Sequence, residues 1–346
     1  MKSPNVLTGS LAAERGGLSR SAAPIAVLVF LSPVLAELLT GIVRLSNLWL
    51  LIPEMAVYGS AAVIIREVVR RLRGGWGMML VLGLAYAVAE ECVILQTSLT
   101  PQFFPPHSFG LVAGVQWIYL VALTWYESVY AIVLPITLVE MLFPKQRESL
   151  WLSRGGLWIA GGIFVFASIG VFELWHRVGL QKYGPSTYQV PLSYVLAALA
   201  VIAVLIALAL VLPRGAVDAS RARRRALSPW LVGILAFGFG LAWFVIIALP
   251  YLPPETFQGG SPAVPIVVAL GWLALGLFIF RRVSSGVGWG DRHRLAVIFG
   301  MSLGSMLGGT LLVMAFGPLD ILGKFGFDVV AIVLFILFAL RLPRTG

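Results

Sequence analysis

The sequence predicts an all-α, polytopic membrane helix bundle of about ten transmembrane helices, with both chain ends in the cytoplasm. Three observations carry this. Of 346 residues, 59% are hydrophobic and only 12% are charged, against about 25% charged residues in ordinary soluble domains. The apolar residues fall in long blocks, and a bilayer core takes about 20 apolar residues of helix to cross. The basic residues cluster between alternate blocks, as the positive-inside rule requires.

Residues 1–23 are polar and slightly basic, with Lys2, Arg15 and Arg20, and read as a cytoplasmic tail. The apolar run that follows is too long for a signal-peptide core and has no small-residue cleavage pattern, so it reads as a retained anchor. The expected spans are 24–44, 47–71, 77–99, 113–142, 156–175, 191–212, 229–250, 263–282, 294–316 and 326–343. With the N-terminus inside, the cytoplasmic segments hold 21 of the 25 basic residues, and the outer ones hold only Arg44, Arg177, Lys182 and Lys324. Removing one span would invert every later loop and destroy this partition.

The net charge of +10 is therefore a signal of topology and of contact with membrane lipid headgroups. It does not mark a nucleic-acid partner, even at the run Arg221, Arg223, Arg224 and Arg225. The chain has 21 Arg and 4 Lys, a ratio that suggests a GC-rich bacterial genome and so a plasma (inner) membrane. The outer loops are short and Pro-rich, as in Phe104-Pro105-Pro106 and Pro253-Pro254. Trp49, Trp76, Trp117, Trp151, Trp175, Trp230 and Trp289 fall near expected span ends, where indole rings prefer to sit. Gly300, Gly304 and Gly308 share one helix face and invite close approach by a neighbouring helix. The lone Cys92 excludes an internal disulfide and reads as a small buried hydrophobe.

Carboxylates divide the chain into a tail (1–23), a four-helix half (24–142) and an apolar six-helix half (143–346). The first four spans hold Glu37, Glu54, Glu67, Glu90, Glu91, Glu127 and Glu140, whereas spans six to nine hold none. Arg66, Glu67, Arg70 and Arg71 lie at the cytoplasmic end of span two and read as structural ion pairs. Glu67 and Arg71 are spaced i, i+4, and long basic side chains at a span end can snorkel to water.

Helix rise places Glu37, Glu54, Glu90, Glu91 and Glu127 between the midplane and the outer third of the bilayer, Glu37 roughly 20 Å above the inner edge. No Lys, Arg or His is expected at that depth, and the histidines His107, His176 and His293 are expected in loops. Nearby polar residues are Tyr58, Gln96, Thr97, Thr124, Tyr126 and Ser128. Desolvation and like-charge repulsion both oppose ionisation of such carboxylates. Either several hold protons at neutral pH, or a hard cation or a water-filled cavity compensates. Zinc has no ligand set in the spans, so a proton or an oxygen-ligated cation is the expected occupant.

Adjacent glutamates on a helix point about 100° apart. The segment Ala89-Glu90-Glu91-Cys92 resembles the start of the paired-glutamate motif of the CAAX-protease and bacteriocin-processing family of intramembrane endopeptidases. The resemblance covers about one helix. It implies Glu90 or Glu91 as a catalytic base, with Gln96 or Glu127 orienting water. At the family's Arg position this chain has Leu95, and no later span supplies its His, which implies a non-catalytic relative.

Three functions remain open. The first is a transporter whose carboxylates Glu37, Glu54, Glu90, Glu91 and Glu127, with Gln96, bind a proton or cation that drives a small solute. The second is a glutamate-dependent hydrolase, or a relative that binds peptide or lipid. The third is an assembly subunit whose acids only pack helices.

Overall fold

The computed structural model describes residues 22–103, 109–183, 188–212, 225–248, 261 and 263–343. Most of the N-terminal tail, His107, the two Pro-Pro loops and Arg221, Arg223 and Arg224 lie outside the described residues. Within them the chain is an all-α bundle with one two-stranded hairpin. Its helices are α1 (Ala22–Leu38), α2 (Leu45–Arg71), α3 (Trp76–Ile94), α4 (Trp117–Leu142) and α5 (Arg154–Tyr183). They continue with α6 (Leu192–Val211), α7 (Pro229–Ala248), α8 (Ala263–Ser284), α9 (Asp291–Val313) and α10 (Pro318–Arg341).

Nine of these, α2 to α10, are long and apolar enough to cross a membrane. Helix α1, expected at 24–44, ends earlier, at Leu38. The reason is local: Thr40 donates its hydroxyl to the carbonyls of Ala36 (2.8 Å) and Glu37 (2.9 Å), and Gly41 turns the chain at φ +80°. Glycine adopts that conformation at no steric cost.

Other boundaries shift for equally local reasons. Helix α3 stops at Ile94, because Gln96 takes a left-handed conformation (φ 57°) and Thr97–Leu99 form a 3₁₀ turn. The expected fourth span began at 113, but Leu111–Val112 and Val115–Gln116 pair as a hairpin across Ala113 and Gly114, both at positive φ. Helix α5 runs on through Tyr183, so His176 is helical, its Nδ1 2.9 Å from the Phe172 carbonyl. His293 sits in the first turn of α9, its Nε2 2.9 Å from the Leu227 carbonyl. Neither histidine is in a loop as expected.

The interior is built chiefly from α1 to α4, with α7 and α9 packed on them. Glycine makes the last contact possible. A Cβ at Gly300 would lie 2.3 Å from the Gly233 carbonyl, and one at Gly304 2.7 Å from the Leu241 nitrogen. The four-residue glycine spacing therefore seats α9 on α7 inside one chain. Trp243 donates its indole N–H to the Ala122 carbonyl (3.2 Å) and Tyr130 its hydroxyl to Met301 (3.1 Å), tying α7 and α9 to α4.

Helices α5, α6, α8 and α10 turn large apolar side chains outward, including Trp158, Phe166, Val211, Phe278, Leu322 and Leu340. Soluble monomers rarely expose apolar patches beyond a few hundred Å². A surface of this kind, on nine helices of crossing length, is that of a multi-pass membrane protein.

Candidate functional site

The four-helix half holds two buried polar groups. The first lies where α2, α4 and the connection 143–153 meet. Arg66 is fully buried and uses all five N–H donors of its guanidinium. Its Nε donates to Glu140 (3.2 Å), Nη1 to Glu67 (3.5 Å) and the Ser149 carbonyl (2.8 Å), and Nη2 to the carbonyls of Gln146 (3.2 Å) and Arg147 (2.7 Å). Trp151 covers it, the guanidinium carbon 3.7 Å from the ring centroid. Glu67 accepts from Arg71 (3.1 Å) and from the Trp151 backbone N–H (3.0 Å), and Arg70 bridges Glu140 and Glu148.

This corrects two expectations. Arg66 and Glu67 do not snorkel, because the 143–153 segment folds over them and supplies backbone partners in place of water. Trp151 is buried against Arg66 rather than set at a lipid interface.

The second group is Glu37, Glu54, Glu90, Glu91 and Glu127. Glu37, Glu90, Glu91 and Glu127 are buried, and Glu54 is half-buried. The five lie close enough for their charges to interact: Glu54 with Glu37 and Glu90, and Glu127 with all four others. Among the described residues none of the five forms an ion pair.

A π turn lies at or directly beside each of these glutamates. Glu37 lies in a π turn, Val34–Leu38; Glu54 directly precedes another, Met55–Gly59. Glu90 and Glu91 open a third, Glu90–Ile94, and Glu127 directly precedes a fourth, Ser128–Val133. A π turn adds a residue to a helical turn and leaves carbonyls unpaired, and such turns occur often at functional sites. A fifth, Trp175–Gly179 in α5, lies by the exposed Glu173–Arg177 pair.

The freed carbonyls find hydroxyl donors. Pro135 has no N–H for Ala131, four residues back, and the Ala131 carbonyl accepts from Ser32 of α1. Tyr126 of α4 donates to the Ala36 carbonyl. Ser128 of the fourth π turn also donates across helices, to the Leu80 carbonyl in the regular part of α3 (2.9 Å), in a space kept open by Gly83.

The carboxylates themselves fall into two kinds. Glu91 Oε2 accepts hydroxyl protons from Thr97 and from Ser98 (2.9 Å), brought back to it by the left-handed Gln96. Glu37 Oε1 accepts from Tyr58 (3.1 Å). By contrast, Glu54, Glu90 and Glu127 each keep one buried oxygen with no hydrogen-bond partner. The buried Tyr86 hydroxyl faces Glu90 without a well-formed hydrogen bond. Tyr58 and Tyr86 meet edge to face at 5.9 Å, and Tyr126 stacks on Tyr130 at 4.5 Å, closing the group with aromatic rings.

Of the polar neighbours expected from sequence, Tyr58 and Thr97 touch the carboxylates. Thr124 bonds its own helix at Leu120 (2.7 Å), and Gln96 acts through its backbone, its carbonyl accepting from Thr100 (2.8 Å). Tyr86 and Thr40 were missed, although Tyr86 stands four residues before Glu90 and Thr40 three after Glu37, both one helical turn away. Ser98 was hidden by the expectation that α3 continues to 99.

Cys92 is buried and unpaired. A cation stands elsewhere in the interior: Lys324, expected in an outer loop, is inside α10 and pairs with Asp328. The reason is the early start of α10 at Pro318, a favoured first helical residue. Among the described residues no three His, Cys, Asp or Glu side chains converge as metal ligands.

The fold and site define a polytopic helical bundle with a cation-free, aromatic-lined cluster of buried carboxylates. No protein-family model matches the chain, and no curated protein or solved structure matches it.

Proposed function

We propose that this protein is a proton-coupled transporter of a small solute, crossing a bacterial plasma membrane about ten times with both ends in the cytoplasm. The observation that carries the reading is the coincidence of four π turns, on four helices, with four buried glutamates and the half-buried Glu54. A cluster that only packed helices would have no use for four breaks in regular hydrogen bonding at its own members. Each π turn provides a place where a helix can bend.

Unpartnered oxygens on Glu54, Glu90 and Glu127 give protons a place to bind. Intramembrane carboxylates of this kind serve as proton relays in pumps and transporters. The alternative reading, a glutamate-dependent hydrolase with Glu90 or Glu91 as base, would draw on the same buried carboxylates; His176 and His293 make their hydrogen bonds elsewhere, to Phe172 and Leu227.

The test needs no knowledge of the solute. Vesicles carrying the purified protein are adsorbed on a solid-supported electrode and given a pH jump. A transient charge displacement is expected. It should vanish in the Glu37→Gln/Glu90→Gln/Glu127→Gln variant, with folding checked by circular dichroism and gel filtration. No displacement in the parent protein, or an equal one in the folded variant, overturns the reading. Solutes that then drive sustained proton flux identify the substrate class.

A further inference from the structure

The carboxylate group is closed differently at its two ends. Beyond Glu127 on α4 stands Glu140, held by Arg66 in a network that uses every guanidinium donor. In the opposite direction, eight residues before Glu127 and roughly 12 Å away by helix rise, Tyr119 meets Phe103 with ring centroids 5.7 Å apart. Trp175 and Tyr183 of α5 meet the same Phe103 ring at 5.8 and 5.0 Å, and all three contacts are edge to face.

Helical periodicity aligns these rings with the carboxylates. Tyr119 stands seven residues, about two turns, before Tyr126 in a regular stretch of α4, so the two share a helix face. Tyr126 donates to the Ala36 carbonyl beside Glu37. Trp175 stands eleven residues, about three turns, after Phe164 in α5, which is regular as far as Leu174. The Phe164 ring meets Tyr86 at 6.3 Å, and Tyr86 is one turn before Glu90. Phe103 is thus wedged between rings that continue the two faces bordering the cluster.

Phe103 also ends a strap that is rooted at the cluster. The backbone N–H groups of Leu99, Thr100 and Phe103 donate to the carbonyls of Gln96 (3.0 Å), Thr97 (3.2 Å) and Thr100 (3.1 Å), so residues 96–103 hold together as two 3₁₀ turns. They hang from Gln96, whose left-handed conformation is kept by its surroundings alone. Thr97 and Ser98 fasten the strap to Glu91, and Leu99 packs on Cys92 in a small buried apolar group. Trp175 keeps a buried indole N–H without a partner, a donor for whatever passes Phe103.

We infer that Phe103 is the plug of the path by which protons and solute reach the carboxylates, on the outer side, away from Arg66. The inference rests on the transport reading for its purpose. As the strap swings on Gln96, Phe103 leaves its three rings and Leu99 leaves Cys92. The chain's one cysteine then becomes exposed as the path opens.

A membrane-impermeant maleimide added to intact cells reads that opening through Cys92, because labelling of a buried group tracks its open population. The parent protein should label slowly. Phe103→Ala, having lost three ring contacts, should label at least about tenfold faster. Tyr183→Ala removes an exposed ring from the wall and should accelerate labelling by a smaller factor; it carries the test if Phe103→Ala does not fold. Phe335→Ala loosens α10 against Phe299 of α9 and should label as the parent does. Inverted vesicles, which present the Arg66 side to the reagent, should show no acceleration. Unchanged labelling in folded Phe103→Ala or Tyr183→Ala overturns the plug, as does equal acceleration by Phe335→Ala or acceleration in inverted vesicles only. The expected labelling with no pH-jump current in the parent sinks the transport reading alone. A parent current with labelling indifferent to Phe103 and Tyr183 sinks the plug alone.

Discussion

The guanidinium carbon of Arg66 lies 3.7 Å from the centre of the Trp151 ring, so that an arginine of α2 is roofed by the segment leading into α5. Beneath that roof Arg66 balances Glu67 and Glu140. A buried ion pair adds little over a well-packed apolar one, yet loss of one partner leaves a stranded charge and costs about 3–5 kcal/mol. Arg66→Met should therefore be severely destabilising in detergent unfolding, whereas Glu148→Gln, at the exposed end of the network, should cost under about 1 kcal/mol. Equal midpoints for the two would contradict the arrangement.

Tyr126 donates to the Ala36 carbonyl inside the first π turn. Tyr126→Phe keeps the stack on Tyr130 but leaves that carbonyl to Thr40 alone. The expected loss is about 1–3 kcal/mol. Amide hydrogen exchange should rise around residues 34–40 before it rises elsewhere in α1. A uniform change along the helix would argue that the hydroxyl merely fills space.

Two glycine-to-alanine changes should part company. A Cβ at Gly309 would sit 1.9 Å from the Thr40 carbonyl oxygen, which is backbone and has nowhere to go. Gly309→Ala must push α9 from the end of α1 and should cost at least about 1–3 kcal/mol. A Cβ at Gly162 meets nothing within 4 Å, so Gly162→Ala should be neutral or gain up to about 1 kcal/mol from helix propensity. Thermal midpoints in the same detergent decide it.

The helical bundle was legible because the physics that sets it is blunt: long apolar runs separated by basic loops leave few alternatives. The acidic character of the four-helix half was legible as well, from the distribution of carboxylates along the chain, and helix rise put Glu37, Glu54, Glu90, Glu91 and Glu127 at one level without saying whether they meet. The π turns were not. They depend on competition between backbone and hydroxyl donors across helices, as at Ser32 and Ala131, and a hydropathy pattern carries no information about a donor on another helix. Pro135 was the available clue, since proline leaves a free carbonyl four residues earlier. Helix ends were misjudged wherever apolar residues continued past a turn, as at Gln96 and at Gly41, because hydrophobicity cannot register a left-handed φ.

The pair Lys324–Asp328 ties α10 to the rest of the bundle. Both residues are buried in α10, and Lys324 Nζ also donates to the Met306 carbonyl of α9 (3.1 Å) while its stem packs against Gly41. The pair thus sits where α10, α9 and the end of α1 meet, near the chain reversal that follows Glu37. Lys324→Met strands Asp328 among apolar neighbours and should cost about 3–5 kcal/mol, while Lys324→Met/Asp328→Leu removes both charges and should recover most of that loss. If the pair is only structural, the double variant keeps the pH-jump current of the parent. A folded double variant that lacks the current would instead make α10 a working part of the proton pathway, since nothing in the four-helix half has been altered.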